Sequence, residues 1–129
     1  MQMPETITLL LVDEDTEVLE LTKTFLERED QHLDVTTETS ATAALELLED
    51  GTYDCVVSDY AMPSMTGVEF LEAVHERDPA LPFFFFTGKD SEEIEAIAED
   101  ANISGYVQKG TGTERYGELA REVRAAVEP

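Results

Sequence analysis

In this 129-residue chain, four short strand-like runs, three of them apolar, each end on a group able to do chemistry. "ITLLLV" runs into Asp13-Glu14-Asp15, "CVVS" into Asp59, "PFFFF" into Thr87 and "SGYVQ" into Lys109. Brought together, Asp13, Glu14 and Asp59 would crowd three carboxylates. Two like charges about 4 Å apart repel by roughly 4 kcal/mol at an effective dielectric of about 20. Lys109 supplies one compensating charge, and a hard divalent cation would supply two. Mg²⁺ suits such a set, because it takes one or two carboxylates, several waters and a phosphate oxygen in an octahedron with bonds of about 2.0–2.1 Å. Nothing near these positions offers the soft ligands that zinc or copper prefer. Aspartate is a competent nucleophile toward phosphorus, and phosphoryl transfer asks mainly for positioning and charge neutralisation. The set reads as a phosphoryl-accepting arrangement, in which Asp59 attacks, Mg²⁺ and Lys109 hold phosphoryl oxygens and Thr87 hydrogen-bonds another.

Each residue also has a plainer use. Asp15 precedes "TEVLEL" and suits a helix cap. Asp13 and Glu14 fit solvated loop acids, Asp59 a turn, Thr87 a cap on the turn at Gly88-Lys89, and Lys109 an ordinary surface lysine. What the plain readings do not explain is their coincidence, with complementary groups at the ends of four runs.

The elements that would gather these groups follow from hydrophobic period. "ITLLLV", "CVVS" and "PFFFFT" (82–87) are short continuous apolar runs, as expected of strands covered on both faces. "LDVTTE" (33–38) alternates, with Leu33, Val35 and Thr37 opposite Asp34, Thr36 and Glu38, and "SGYVQK" (104–109) is mixed; both suit edge strands. Between them lie five stripes at helical spacing: Val18, Leu21 and Phe25; Ala41, Ala44, Leu45 and Leu48; Val68, Leu71 and Val74; Ile94, Ile97, Ala98 and Ala101; Tyr116, Leu119, Ala120, Val123 and Val127. Thr66 with Glu69, and Asp90 with Glu93, have capping-box spacing, and Gly51 and Gly88 sit where breaks are needed. The expectation is a single domain over 1–129, a three-layer α/β/α, flavodoxin-like (βα)5 fold with a parallel sheet. The order 2-1-3-4-5 places the three apolar strands inside and the two mixed ones outside. In open parallel sheets, ligands bind beyond the carboxyl ends of the strands, which is where the candidate residues fall.

Bulk properties narrow the classes. With 42% hydrophobic residues the chain can build a core without staples, and its one cysteine, Cys55, forms no internal disulfide and suits a reducing cytoplasm. His32 and His75 are isolated and lack metal-ligand spacing. No apolar run approaches the roughly 20 residues of a membrane span, and "MQMPETITLL" carries neither the basic region nor the cleavage site of a signal peptide. Thirty acids against eight bases, only three of them lysine, give a formal charge of −22. Such a surface repels free nucleic acid, whose binding needs clustered Lys and Arg, and disfavours anionic membranes. It fits either a solvated acidic coat or a halophilic adaptation.

The motifs carry a resemblance. "LLLVDED", "VVSDYAMPSMTGVEFL", "PFFFFTGK" and "GYVQKG" resemble the successive signatures of the response-regulator receiver domain of two-component signal transduction, over essentially the whole chain. The resemblance implies that Asp59 is the phosphorylated aspartate of this phosphoprotein. It implies that Asp13, Glu14, Asp59 and the backbone carbonyl of Ala61 hold Mg²⁺. Thr87 would be the switch hydroxyl, Lys109 the catalytic lysine and Tyr106 the aromatic that changes rotamer on activation. It further implies a sensor histidine kinase or phosphotransfer protein of a phosphorelay as donor and a downstream effector protein or domain as listener. The switching face would be built from the fourth helix, the fifth strand and the fifth helix. Such a domain promotes its own phosphorylation and dephosphorylation and does not turn over external substrates. Whether activation brings a homodimer, and whether the domain stands alone or belongs to a longer protein, stay open. Two positions depart from the family pattern: Gly110 follows Lys109 where proline is usual, and Glu14 stands where Asp is more frequent.

Two other readings compete. "LLLVDED" nearly matches the aspartyl-phosphate motif of haloacid-dehalogenase-type phosphatases, but Glu17 stands where Thr or Val is expected, no Asp follows Asp100, and Asp59 is left unexplained. A degenerate receiver acting only as an interaction module is the other; the full set Asp13, Asp59, Thr87 and Lys109 speaks against it.

The halophilic reading has a direct check. Screening shortens to about 3 Å at 1 M salt and self-repulsion fades with it. A denaturant titration is expected to give weaker folding in dilute buffer than in molar salt, and equal stability in both would count against salt adaptation.

Overall fold

A computed structural model describes residues 6–60, 62, 65–88, 96, 103–109 and 113–127. Along the chain run β1 (Ile7–Val12), α1 (Thr16–Glu29), β2 (Leu33–Glu38), α2 (Ala41–Asp50), β3 (Cys55–Ser58), α3 (Gly67–Arg77), β4 (Phe83–Thr87), β5 (Gly105–Gln108) and a C-terminal helix (Glu114–Val127). The five strands pair in parallel in the order β2-β1-β3-β4-β5, as the apolar and mixed patterns predict. The stripe Ile94, Ile97, Ala98 and Ala101 and the Asp90–Glu93 capping spacing lie outside the described residues.

Successive side chains of a strand point to opposite faces, and here each face has its own core. Leu9 and Leu11 of β1, Cys55 and Val57 of β3, and Phe84 and Phe86 of β4 pack with Leu19 and Leu26 of α1 and with Leu119 and Val123 of the C-terminal helix. Leu10 and Val12, Val56, and Phe83 and Phe85 point the other way, onto Ala41 and Ala44 of α2 and Phe70, Leu71 and Val74 of α3. The result is three layers. Strands β1, β3 and β4 are mostly apolar because both their faces are covered, and the edge strand β2 keeps only Leu33 and Val35 fully buried.

Caps fix where the helices begin. Asp15 accepts the N–H groups of Glu17 and Val18 at the start of α1, Ser40 accepts that of Ala43, and Thr66 and Glu69 form the expected capping box on α3. The α1 core face differs from the sequence reading. Leu19, Thr22 and Leu26 are buried, whereas Leu21, expected in the stripe with Val18 and Phe25, is 51% exposed. The stretch "VLELTKTFL" carries two overlapping helical stripes, and the one chosen by the fold contains a threonine, which polarity alone would place outside. Phe25 instead stacks on Tyr116 of the C-terminal helix, ring centroids 4.8 Å apart. Arg124 adds a second tie between these helices, donating to both carboxylate oxygens of Asp30 at 2.6 Å. This guanidinium holds the Asp30 carboxyl below the usual carboxylate range despite its partial burial.

Gly67, the first residue of α3, sits where only hydrogen fits. A Cβ there would lie 2.7 Å from Phe85 Cε1 and 2.9 Å from both Cα and the carbonyl oxygen of Tyr60. Its N–H meanwhile bonds that Tyr60 carbonyl at 2.9 Å, so the segment leaving β3 is drawn against the start of α3.

Two substitutions test this packing. Thr22 is fully buried and its hydroxyl has no hydrogen-bond partner among the described residues, a state that costs about 1–3 kcal/mol. Thr22→Val, nearly the same shape, is expected to raise stability by about 1 kcal/mol, read as a higher urea midpoint at unchanged slope. Gly67→Ala is expected to lower it by about 1–3 kcal/mol in the same titration, because two of the three clashing atoms are backbone.

Candidate functional site

Backbone pairing carries the candidate side chains to one edge of the sheet. The Asp13 N–H bonds the Glu38 carbonyl (3.2 Å), prolonging the β1–β2 ladder past Val12. The Asp59 N–H bonds the Val12 carbonyl (2.9 Å), which sets Asp59 beside the end of β1. The Lys109 N–H bonds the Thr87 carbonyl (2.8 Å), extending β4–β5 by one residue. Asp13, Asp59, Thr87 and Lys109 are thus each fixed at a strand's carboxyl end by main-chain bonds, before any side-chain contact is made.

The side chains then meet. Asp13 is buried, 5% exposed. One of its oxygens accepts the Asp15 N–H at 2.9 Å, and the other accepts Lys109 Nζ at 2.6 Å. The same ammonium lies 3.8 Å from Asp59 Oδ1, close enough for attraction and too far for a hydrogen bond. It also stands 5.8 Å above the Phe86 ring, which adds a cation–π contact. One cation thus serves two carboxylates, and one negative charge is left over. Asp59 is the more open of the pair, its side chain 16% exposed against 7% for Asp13.

Thr87 closes β4 and is buried at 1% exposure. Tyr106 pairs with Phe85 across β4–β5 and is half-buried against the core cluster that includes Phe85 and Tyr60. Glu14, half-buried, follows Asp13. Ala61, Pro63, Lys89 and Gly110 lie outside the described residues. The described residues hold no group of three or more His, Cys, Asp or Glu side chains placed to grip a metal ion together. Asp13 and Asp59 are the carboxylates that share Lys109. With the leftover charge, that oxygen-only pair matches what Mg²⁺ takes from a protein, namely one or two carboxylates with waters completing the octahedron.

Two participants escaped the sequence reading: Phe86 lies under Lys109, and Tyr60 packs edge-to-face on Phe85 at 5.5 Å. So did one pairing, since Asp13 rather than Asp59 makes the lysine's short contact. In a run of four phenylalanines only the face assignment tells which ring underlies the ammonium. The two histidines are engaged locally: His75 Nε2 lies 3.1 Å from the Leu81 carbonyl, and His32 Nδ1 2.6 Å from Arg124. Cys55 is buried, and burial pushes its thiol far above the ordinary cysteine range, which makes it inert. No described helix is long and apolar enough to cross a membrane.

The geometry can be set beside known proteins. The model of the response regulator receiver domain matches residues 9–121. The chain is 36% identical over 103 residues to the hydrogenase transcriptional regulatory protein HoxA of Cupriavidus necator, covering 79% of this chain and 21% of that protein. It is 39% identical over 70 residues to the chemotaxis protein CheY of Pseudomonas aeruginosa, covering 53% of this chain and 56% of that one. The match thus spans about a fifth of the first relative's length and little more than half of the second's. Among solved structures, a CheY-like response regulator receiver domain protein of Methanospirillum hungatei superposes with a TM-score of 0.76 at 27% identity, over 94% of this chain and 98% of that one. The chain belongs to the response regulator receiver domain family of two-component signalling.

Proposed function

We propose that the chain accepts a phosphoryl group on Asp59 from a phosphohistidine of a sensor kinase or phosphotransfer protein, and passes the change to an effector through its β5 side. The observation that carries this is the single ammonium of Lys109 shared by a buried Asp13 and a more open Asp59. An incoming phosphoryl group would meet a nucleophile with one side open, a cation beside it and an acid behind it that keeps the cation in place.

In the transfer, an Asp59 carboxylate oxygen forms the new bond to phosphorus as the bond from phosphorus to the donor's imidazole nitrogen breaks, and the imidazole keeps that electron pair. Lys109 is close enough to Asp59 to move from its 3.8 Å distance onto a phosphoryl oxygen. Asp13, hydrogen-bonded at 2.6 Å, limits how far it travels. A Mg²⁺ ion held by Asp13 and Asp59, with Glu14 and the Ala61 carbonyl as neighbouring donors, would neutralise phosphoryl oxygens when bound. The buried Thr87 hydroxyl, at the end of the adjacent strand, turns to a phosphoryl oxygen. That movement frees room for Tyr106 to turn inward from its half-buried place on β5. The outward readout is then a changed surface on β5 and the C-terminal helix, a population shift toward a form that the effector binds better. The chain acts in this scheme as a signalling domain, modified once per event.

Beryllofluoride, which mimics the phosphoryl group, tests the proposal by fluorine NMR. With Mg²⁺ a bound resonance is expected for the wild type and none for Asp59→Ala, and withdrawing Mg²⁺ with a chelator should abolish it. Lys109→Met should weaken binding about tenfold to a hundredfold, the worth of one charged hydrogen bond. A bound signal that survives Asp59→Ala and vanishes in Asp13→Ala would overturn the assignment.

A further inference from the structure

The outer edge of β2 is covered at its centre by two side chains of α1. Ile7 N–H bonds the His32 carbonyl and Asp13 N–H bonds the Glu38 carbonyl. The even-numbered residues therefore turn their backbone polar groups toward β1, and by strand alternation Leu33, Val35 and Thr37 turn theirs outward. The Leu33 N–H is taken by the Asp30 carbonyl at 3.1 Å. Val35, at the centre, is held on both counts: its N–H donates to Glu27 Oε2 at 3.0 Å, and its carbonyl accepts Lys23 Nζ at 2.6 Å. Lys23 and Glu27 stand one turn apart on α1 and pair with each other at 3.1 Å. As a half-exposed surface pair they would contribute little to stability, and ordering two long side chains costs entropy. What they accomplish is to occupy the backbone groups that an edge strand otherwise offers to another chain.

The strand they cover is self-complementary. Paired antiparallel with itself about a two-fold axis through Val35, it sets Val35 against Val35, Leu33 against Thr37, Asp34 against Thr36 and His32 against Glu38. No like charges face each other, and the valine and threonines favour strand. We propose that the Lys23–Glu27 pair is a lock that stops β2 from joining the β2 of a second copy of this chain into a continuous sheet. In dilute buffer the −22 charge also keeps copies apart; in molar salt that repulsion is screened to about 3 Å, and the lock is what remains.

Sedimentation velocity in molar salt tests this. The wild type is expected to stay monomeric across the concentration range, while Lys23→Ala/Glu27→Ala moves with rising concentration toward twice the monomer mass. Adding Thr37→Pro, which removes an outward N–H from an edge strand, should return the double variant to monomer. A double variant that keeps its circular dichroism melt and stays monomeric overturns the proposal. So does a dimer that persists with Thr37→Pro. If the double variant does not fold, Lys23→Ala alone frees the Val35 carbonyl while Glu27 holds the N–H; it should show a smaller shift in the same direction, and a monomer there overturns the lock equally.

Discussion

The structure depends on a charge balance at the carboxyl edge of the sheet. Asp13 is nearly sealed from water, and an ionised carboxylate in such a place costs several kcal/mol unless it is paired and hydrogen-bonded. It is both, through the Asp15 N–H and Lys109 Nζ. Lys109 comes from 96 positions further along the chain, so this pair closes the whole sheet: β1, β3, β4 and β5 must be in place for it to form. The same contact leaves Asp59 only loosely held at 3.8 Å. A structural need, neutralising Asp13, therefore leaves the neighbouring carboxylate accessible and beside a positive charge.

That balance follows from parallel pairing. All five strands end on the same side, so whatever the chain places just past each strand is gathered there without further design. The main-chain bonds of Asp13, Asp59 and Lys109 to residues of adjacent strands show how little freedom remains. A one-residue slip in any of these strands would turn its side chain to the opposite face of the sheet. The two cores enforce the register, because Leu9 and Leu11 face one helical layer while Leu10 and Val12 face the other. The gathering of the site is thus a consequence of apolar alternation several residues away from it.

This explains what could be read in the residues and what could not. Strands β1, β2 and β3 fall at the expected bounds, because continuous apolar runs and a clean alternation leave few other choices. The convergence of Asp13, Asp59 and Lys109 followed from order and strand ends alone. On α1 the reading failed by one position, since the buried face includes Thr22 while Leu21 faces water; polarity is a weak guide where a threonine hydroxyl is enclosed with no partner among the described residues. The lysine's preference for Asp13 over Asp59 was also hidden. It depends on relative burial, which side-chain type does not encode. The constraint on Gly67 is the approach of Phe85 and Tyr60, set by tertiary packing that no sequence pattern displays.

The scarce cations show the same economy. In a chain with thirty acids and eight bases, a lysine or arginine would find a carboxylate almost anywhere. Yet Arg77 joins the end of α3 to Glu49 near the end of α2, Arg124 joins the C-terminal helix to Asp30 beyond α1, and Lys109 joins the end of β5 to those of β1 and β3. Lys23 ties α1 to the open edge of β2. Each sits at a junction between elements, and at Lys109 one cation is shared by acids that follow two different strands. Salt acts unequally on such a molecule. It screens the exposed acidic coat and the exposed Arg77–Glu49 pair strongly, and the partly buried pairs of Lys109 and Arg124 much less, so raising it relieves the general repulsion while leaving those two junctions in place.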